Sequence, residues 1–133
     1  MILLDTDVLI DVLRRKQVAL DWLESLKDEE VLVSGFTVME LIQGCRNKSD
    51  QGYVEGTLVR YIVAWPTAES CQKALKVFSD HRLSHGIGAL DAFIGQTAVQ
   101  LGIALATFNQ KHYSVIPDLR TVQPYPRVLL AQE

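Results

Sequence analysis

Apolar residues in this chain come in two arrangements, short solid runs and spaced stripes. Ile2-Leu3-Leu4 is a solid run that meets Asp5-Thr6-Asp7 before apolar residues resume at Val8. Residues 2–5 therefore read as a short buried strand, with Asp7 placed to cap a helix starting at Val8. Ala19, Trp22, Leu23 and Leu26 form a stripe that predicts a helix over 18–27. Val31-Leu32-Val33 reads as a second strand, after which Ser34-Gly35 turns the chain. Thr37 opens a helix whose apolar face carries Val38, Leu41, Ile42 and Cys45, and a further helix covers 50–58. The stretch RYIVAWP predicts a third strand, stopped by Pro66. Cys71, Ala74, Leu75 and Phe78 mark a helix over 68–83. Leu90, Phe93, Ile94 and Leu101 mark another over 89–101, ended by Gly102. Residues 103–107 read as a fourth strand and LRTVQ as the last.

Strands that alternate with helices imply an α/β sandwich around a mostly parallel sheet of four or five strands, here a single domain over 1–133. Sites in such sheets form at the carboxyl ends of the strands. Asp5 lies at one such end, and Thr107-Phe108-Asn109 at another.

Hydrophobic residues make up 48%, enough for a core, and the formal net charge is -3. An acidic balance excludes a bulk non-specific nucleic-acid binder but not an enzyme acting on nucleic acid, because a metal ion can supply local positive charge. Cys45 and Cys71 fall on apolar helix positions and read as reduced core thiols, which fits a cytoplasmic setting. The start has no basic and apolar leader pattern, and no apolar run reaches the roughly 18 residues of a membrane span.

Sixteen acids are present, and three stand apart because their neighbours are apolar. Asp5 follows the first strand. Glu40 sits in TVMELIQG and Asp91 in GALDAFIG. Helical spacing puts Glu40 on one face with Thr37 and Gly44, and Asp91 with Gly88 and Gly95, so small residues leave each carboxylate approachable. Taken singly, each acid is equally well explained as a cap or a half-exposed group, and Asp91 near a helix start gains from the helix dipole. Taken together they favour a shared site. Converging carboxylates repel, so either some take up protons or a cation sits between them. Oxygen ligands without His or Cys select hard ions such as Mg²⁺ or Mn²⁺. Such an ion can activate water against a phosphodiester.

These residues in this order resemble the PIN-domain ribonucleases, in particular the VapC-type toxins of prokaryotic toxin–antitoxin pairs. LLDTDVLIDVL resembles the opening motif, VSGFTVMELIQG the second acidic motif, and LDAFIGQTAVQLGIALATFN the third with its following strand. KHYSVIPDLRTVQP resembles the closing segment. The resemblance implies a PIN-like α/β/α sandwich and a Mg²⁺- or Mn²⁺-dependent endoribonuclease acting on RNA. In it Asp5, Glu40 and Asp91 are the acidic triad, Asp7 is a cap and supporting group, and Thr107 orders the site through its hydroxyl. It also implies a homodimer and a cognate antitoxin that occupies the active-site groove. The chain departs from the pattern at the fourth acid. After the fourth predicted strand it reads Thr107-Phe108-Asn109-Gln110, where Asn109 offers only an amide oxygen to a water or an outer metal contact.

Two other readings fit part of the pattern. DTDVLID resembles the opening of haloacid-dehalogenase phosphatases, with Asp5 as nucleophile, although Leu9 stands where that motif has Thr or Val. A degenerate PIN module that only binds a partner or RNA would explain the missing fourth acid. His81 and His85 have a zinc spacing without an evident third ligand, and Arg14-Arg15-Lys16 reads equally as a solvated helix end or a phosphate contact.

Overall fold

The computed structural model describes residues 1–127. In chain order the elements are β1 (Ile2–Leu4), α1 (Thr6–Leu13), α2 (Gln17–Ser25), β2 (Val31–Ser34), α3 (Gly35–Gln43) and α4 (Lys48–Leu58). They continue with β3 (Ile62–Ala64), α5 (Ala68–His85), α6 (Ala89–Leu101), β4 (Ala104–Ala106), α7 (Gln110–Tyr113) and β5 (Thr121–Val122). All four strand pairings are parallel, and the sheet order is β3-β2-β1-β4-β5.

β1 is central, with Leu3 in register between Leu32 of β2 and Leu105 of β4. Side chains of a strand point alternately to its two faces, and this three-residue strand feeds two cores. Leu3 joins Ala74, Val77, Ala92, Ile94, Ala98 and Tyr113 under α5, α6 and α7. Ile2 and Leu4 join Val8, Leu9, Val33 and Leu58 on the side of α1 and α4. Burial on both faces explains why β1 is a solid apolar run rather than an alternating one. The result is the α/β/α sandwich expected from the sequence.

The chain leaves β1 toward β2 and β3 on one side, then returns through α5 and α6 to β4 and β5 on the other. The order reverses between β1 and β4, and a crevice at the carboxyl ends follows from such a reversal. Asp5 and Thr107 are the residues after those two strands.

The helices after β1 and β2 start two residues earlier than expected. α1 begins at Thr6, and its cap is Asp5, whose side chain accepts from the Thr6 amide. Asp7 does not cap because its carboxylate is engaged elsewhere. α3 begins at Gly35 rather than turning there, since Ser34 caps it by accepting from the Phe36 amide at 3.1 Å. Gly102 does end α6, in the left-handed conformation at φ 66°. α7 was not expected, because a single helical turn has no periodicity to read. Leu75 is 61% exposed instead of lying in the core. Both cysteines are free and half-buried, Cys45 lying just past the end of α3. Trp22 packs as core, edge-on to Tyr125. His81 and His85 pack edge to face at 5.3 Å, and no three potential ligands cluster among the described residues. No helix in them is long and apolar enough to cross a membrane.

Candidate active site

Asp5 is pinned from several directions. Its backbone amide donates to the Ala106 carbonyl at 3.0 Å, which extends the β1–β4 ladder by one residue. Its Oδ1 accepts from the Thr6 amide at 2.8 Å and from the Tyr113 hydroxyl at 3.0 Å. Its Oδ2 accepts from the Thr107 hydroxyl at 2.7 Å. The Asn109 amide donates to that same Thr107 oxygen at 2.9 Å, so the Thr107 proton is directed at Asp5.

Asp91 is in the first turn of α6, where an anion is favoured by the unpaired amides and the helix dipole. Its Oδ2 accepts from the Gly88 amide and its Oδ1 from the Tyr113 hydroxyl, both at 3.3 Å. Tyr113 thus joins the first and third acids of the sequence pattern on one phenol. Nothing in the sequence pattern gives this tyrosine a bridging role. Its only sequence signal is an aromatic in the otherwise polar segment QKHYS.

Ile116, just past Tyr113, packs close on α6 because Gly95, one turn after Asp91, has no side chain. A Cβ on Gly95 would stand 2.3 Å from Ile116 Cδ1 and 3.4 Å from the Tyr113 ring. Ile116 is itself buried. Gly95→Ala therefore overpacks the α6–α7 contact at about 1–3 kcal/mol, of which better helix propensity returns up to about 1 kcal/mol. The expected result is a melting temperature lower by a few degrees in thermal unfolding.

Asp7 and Glu40 have different surroundings. Asp7 Oδ2 accepts from the Phe108 amide at 3.0 Å, tying α1 to the loop after β4, while its buried Oδ1 has no partner. Glu40 is exposed on α3. Thr37, one turn earlier, is fully buried and takes the Thr6 hydroxyl at 3.1 Å. Glu40 lines a groove of about 510 Å³ that runs from Thr6 past Ile10, Leu41 and Tyr53. Among the described residues no three Asp, Glu, His or Cys side chains lie close enough to hold one ion. Asp5 and Asp91 are brought together, whereas Glu40 stands at the wall of the opening. The side chain of Asn109 is exposed, and its contribution here is its backbone amide.

The charge balance of the pair is unfavourable as it stands. Burial, followed by repulsion from Asp7, pushes the Asp5 carboxyl up to about 7, and the bonds from Thr107, Thr6 and Tyr113 only partly oppose this. Burial likewise raises Asp7. Burial and the neighbouring carboxylates hold the Tyr113 phenol above its ordinary range, so it stays protonated. One phenol proton cannot fully satisfy two carboxylates. Either a proton or a cation must relieve the pair. The donors are all oxygen, and two carboxylates are what a hydrated Mg²⁺ takes from a protein, so the residues fit a hard divalent ion.

The chain that folds into this all-parallel five-stranded sheet matches a known family. The PIN domain model covers residues 2–116, and the chain belongs to that family. Ribonuclease VapC10 of Mycobacterium tuberculosis is 35% identical over 122 residues, spanning 90% of this chain and 91% of that one. Ribonuclease VapC19 of the same organism is 29% identical over 121 residues, spanning 89% and 96%. Among solved structures, VapBC-1 of nontypeable Haemophilus influenzae superposes with a TM-score of 0.75 at 26% identity, covering 93% of this chain and 98% of that chain. DNA-bound VapBC of Salmonella typhimurium shares the fold with a TM-score of 0.79 at 21% identity, with the same coverage. Membership in the PIN family sets aside the phosphatase reading of DTDVLID.

Proposed function

We propose that the chain is a Mg²⁺- or Mn²⁺-dependent endoribonuclease and the toxin of a toxin–antitoxin pair, active as a homodimer. The observation that carries this reading is the meeting of Asp5 and Asp91 on the Tyr113 hydroxyl, in a crevice whose ligands are all oxygen. The names of the two ribonuclease relatives, and of a similar solved toxin–antitoxin complex from Klebsiella pneumoniae, support it. Asp5 and Asp91 would hold the ion, with Glu40 as a third acid standing apart on α3 at the wall of the groove. When bound, the ion supplies charge compensation at the phosphoryl oxygens and an activated water. The chain's own part is to fix the geometry. Thr107 and the Thr6 amide lock the Asp5 rotamer, Tyr113 sets its spacing from Asp91, and Asp7 holds the loop that carries Thr107. The apolar groove between α1, α3 and α4 begins at Thr6 and suits an amphipathic segment of an antitoxin, whose occupancy would cover the crevice.

Purified chain free of any antitoxin should cut structured RNA with Mg²⁺ or Mn²⁺ and stop on addition of EDTA. Asp91→Asn keeps an oxygen for the Gly88 amide but lacks the charge, and is expected to lose about 100-fold or more in rate. Glu40→Gln, farther from the shared phenol, is expected to lose about tenfold. One observation favours a module that binds without cutting: the acids do not form a group of three among the described residues. Equal rates for wild type and Asp91→Asn at every metal concentration would establish that second reading.

A further inference from the structure

One buried charge lies outside this site. Asp11, on α1 one turn beyond Asp7, is 1% exposed. A carboxylate so placed has to be paired. Its Oδ2 accepts from the Tyr125 hydroxyl at 2.8 Å, and its Oδ1 from Arg127 at 3.1 Å, with the Lys16 ammonium at 3.4 Å. Burial pushes its carboxyl up, but Tyr125, Arg127 and Lys16 outweigh this and hold it below its usual range. Two of the three donors come from the segment that follows β5, which the apolar pattern left unassigned.

Tying that segment to α1 would need no more than these bonds, yet the same side chains also grip the site loop. The Arg127 guanidinium lies over the Phe108 ring, 4.2 Å from its centroid. The Tyr125 ring meets Phe108 edge-on at 5.0 Å. Phe108 is the residue between Thr107, which bonds Asp5, and Asn109, which bonds Thr107, and its own amide bonds Asp7. We infer that Tyr125 and Arg127 form a positioning clamp: anchored on Asp11, they press on the Phe108 ring and so keep its amide on Asp7 and the Thr107 hydroxyl on Asp5. Neither residue bonds Asp5 or Asp91, so both act through Phe108. The consequence for cleavage rests on the ribonuclease reading, whereas the clamp itself does not.

The test is amide hydrogen exchange by NMR on metal-free, isotope-labelled full chain, paired with RNA cleavage. In Arg127→Ala the Phe108 amide is expected to exchange roughly tenfold faster and to change its resonance. The amides of Leu3 and Leu105 in the central strands are expected to keep wild-type rates. Arg127→Lys, which keeps the charge on Asp11, should recover most of the protection. Phe108→Leu leaves Asp11 fully paired and should free the same amide, so the outcome does not depend on how Arg127→Ala folds. In the cleavage arm kcat is expected to fall about tenfold with KM unchanged. A backbone amide at position 108 as protected in both Arg127→Ala and Phe108→Leu as in wild type overturns the clamp. So does a uniform rise in exchange across the central strands, which marks global destabilisation alone. A wild-type chain that cuts no RNA overturns the ribonuclease reading and leaves the exchange result to decide the clamp.

Discussion

Asp5→Asn is expected to abolish RNA cleavage while leaving the metal-free protein at least as stable as wild type at pH 8. The two halves have one cause. Asp5 is 4% exposed and its carboxyl is pushed up to about 7, so at pH 8 the fold carries a buried charge that burial and Asp7 both disfavour. Asparagine has nearly the same shape and caps a helix as well as aspartate does. It keeps an oxygen for the Thr6 amide, and the Thr107 and Tyr113 hydroxyls can rotate to meet its amide group. What it cannot do is supply an anion to a divalent ion. The rate should therefore fall at least about 100-fold, while thermal unfolding at pH 8 in EDTA shows an unchanged or higher melting temperature. Most residues that matter for structure behave in the opposite way. A variant that keeps its activity, or one that melts about 10 °C lower, would mean that Asp5 is a structural cap whose charge does no chemistry.

Much of this site was readable from the chain because its determinants are local. Ile2-Leu3-Leu4 cannot be satisfied except between two layers, so an acid directly after it has to sit at a sheet end. Asp91 and Gly95 share a helix face by spacing alone, and the structure gives that face a use, since Gly95 admits Ile116 beside Tyr113. What could not be read is what depends on contacts between segments remote in sequence. Tyr113 is on a helix of one turn, and nothing near it in sequence hints that it spans two carboxylates. Asp11 looks like one more acid of an amphipathic helix until the segment after β5 lies across it. Asp7 looks like a helix cap, but Asp5 takes that role, and Asp7 instead receives the Phe108 amide from the loop after β4, more than a hundred residues away in sequence. Glu40 shows the limit of periodicity in the other sense. Spacing put it on the face of Thr37, but that face turns outward within one helical turn, so Thr37 is buried and Glu40 is exposed.

The metal-free protein should be most stable in mild acid and should lose stability as pH rises toward 8, the reverse of the usual behaviour of aspartates that are stabilised by partners. Asp5 titrates from 3.8 when unfolded and near 7 when folded. Below 3.8 both states carry the proton. Between the two values the folded state binds a proton that the unfolded state lacks, so each pH unit removes about 1.4 kcal/mol. Asp7, also raised, acts with the same sign. Asp11 acts with the opposite sign, because its lowered carboxyl contributes stability that is present above the unfolded value and lost in stronger acid. The two trends meet at the unfolded value they share, which puts the maximum near pH 4. From there to pH 8 the melting temperature in EDTA should fall by roughly 10 °C, as expected for a chain of this size losing a few kcal/mol. A divalent ion competes with the Asp5 proton, so its affinity should rise with pH, and 10 mM Mg²⁺ should raise the melting temperature far more at pH 8 than at pH 5. In Asp5→Asn both the slope and the Mg²⁺ effect should largely vanish. A profile that is flat between pH 5 and 8, with Mg²⁺ acting equally at both ends, would show that Asp5 ionises freely in the folded chain, and the ion would then have no buried charge to relieve.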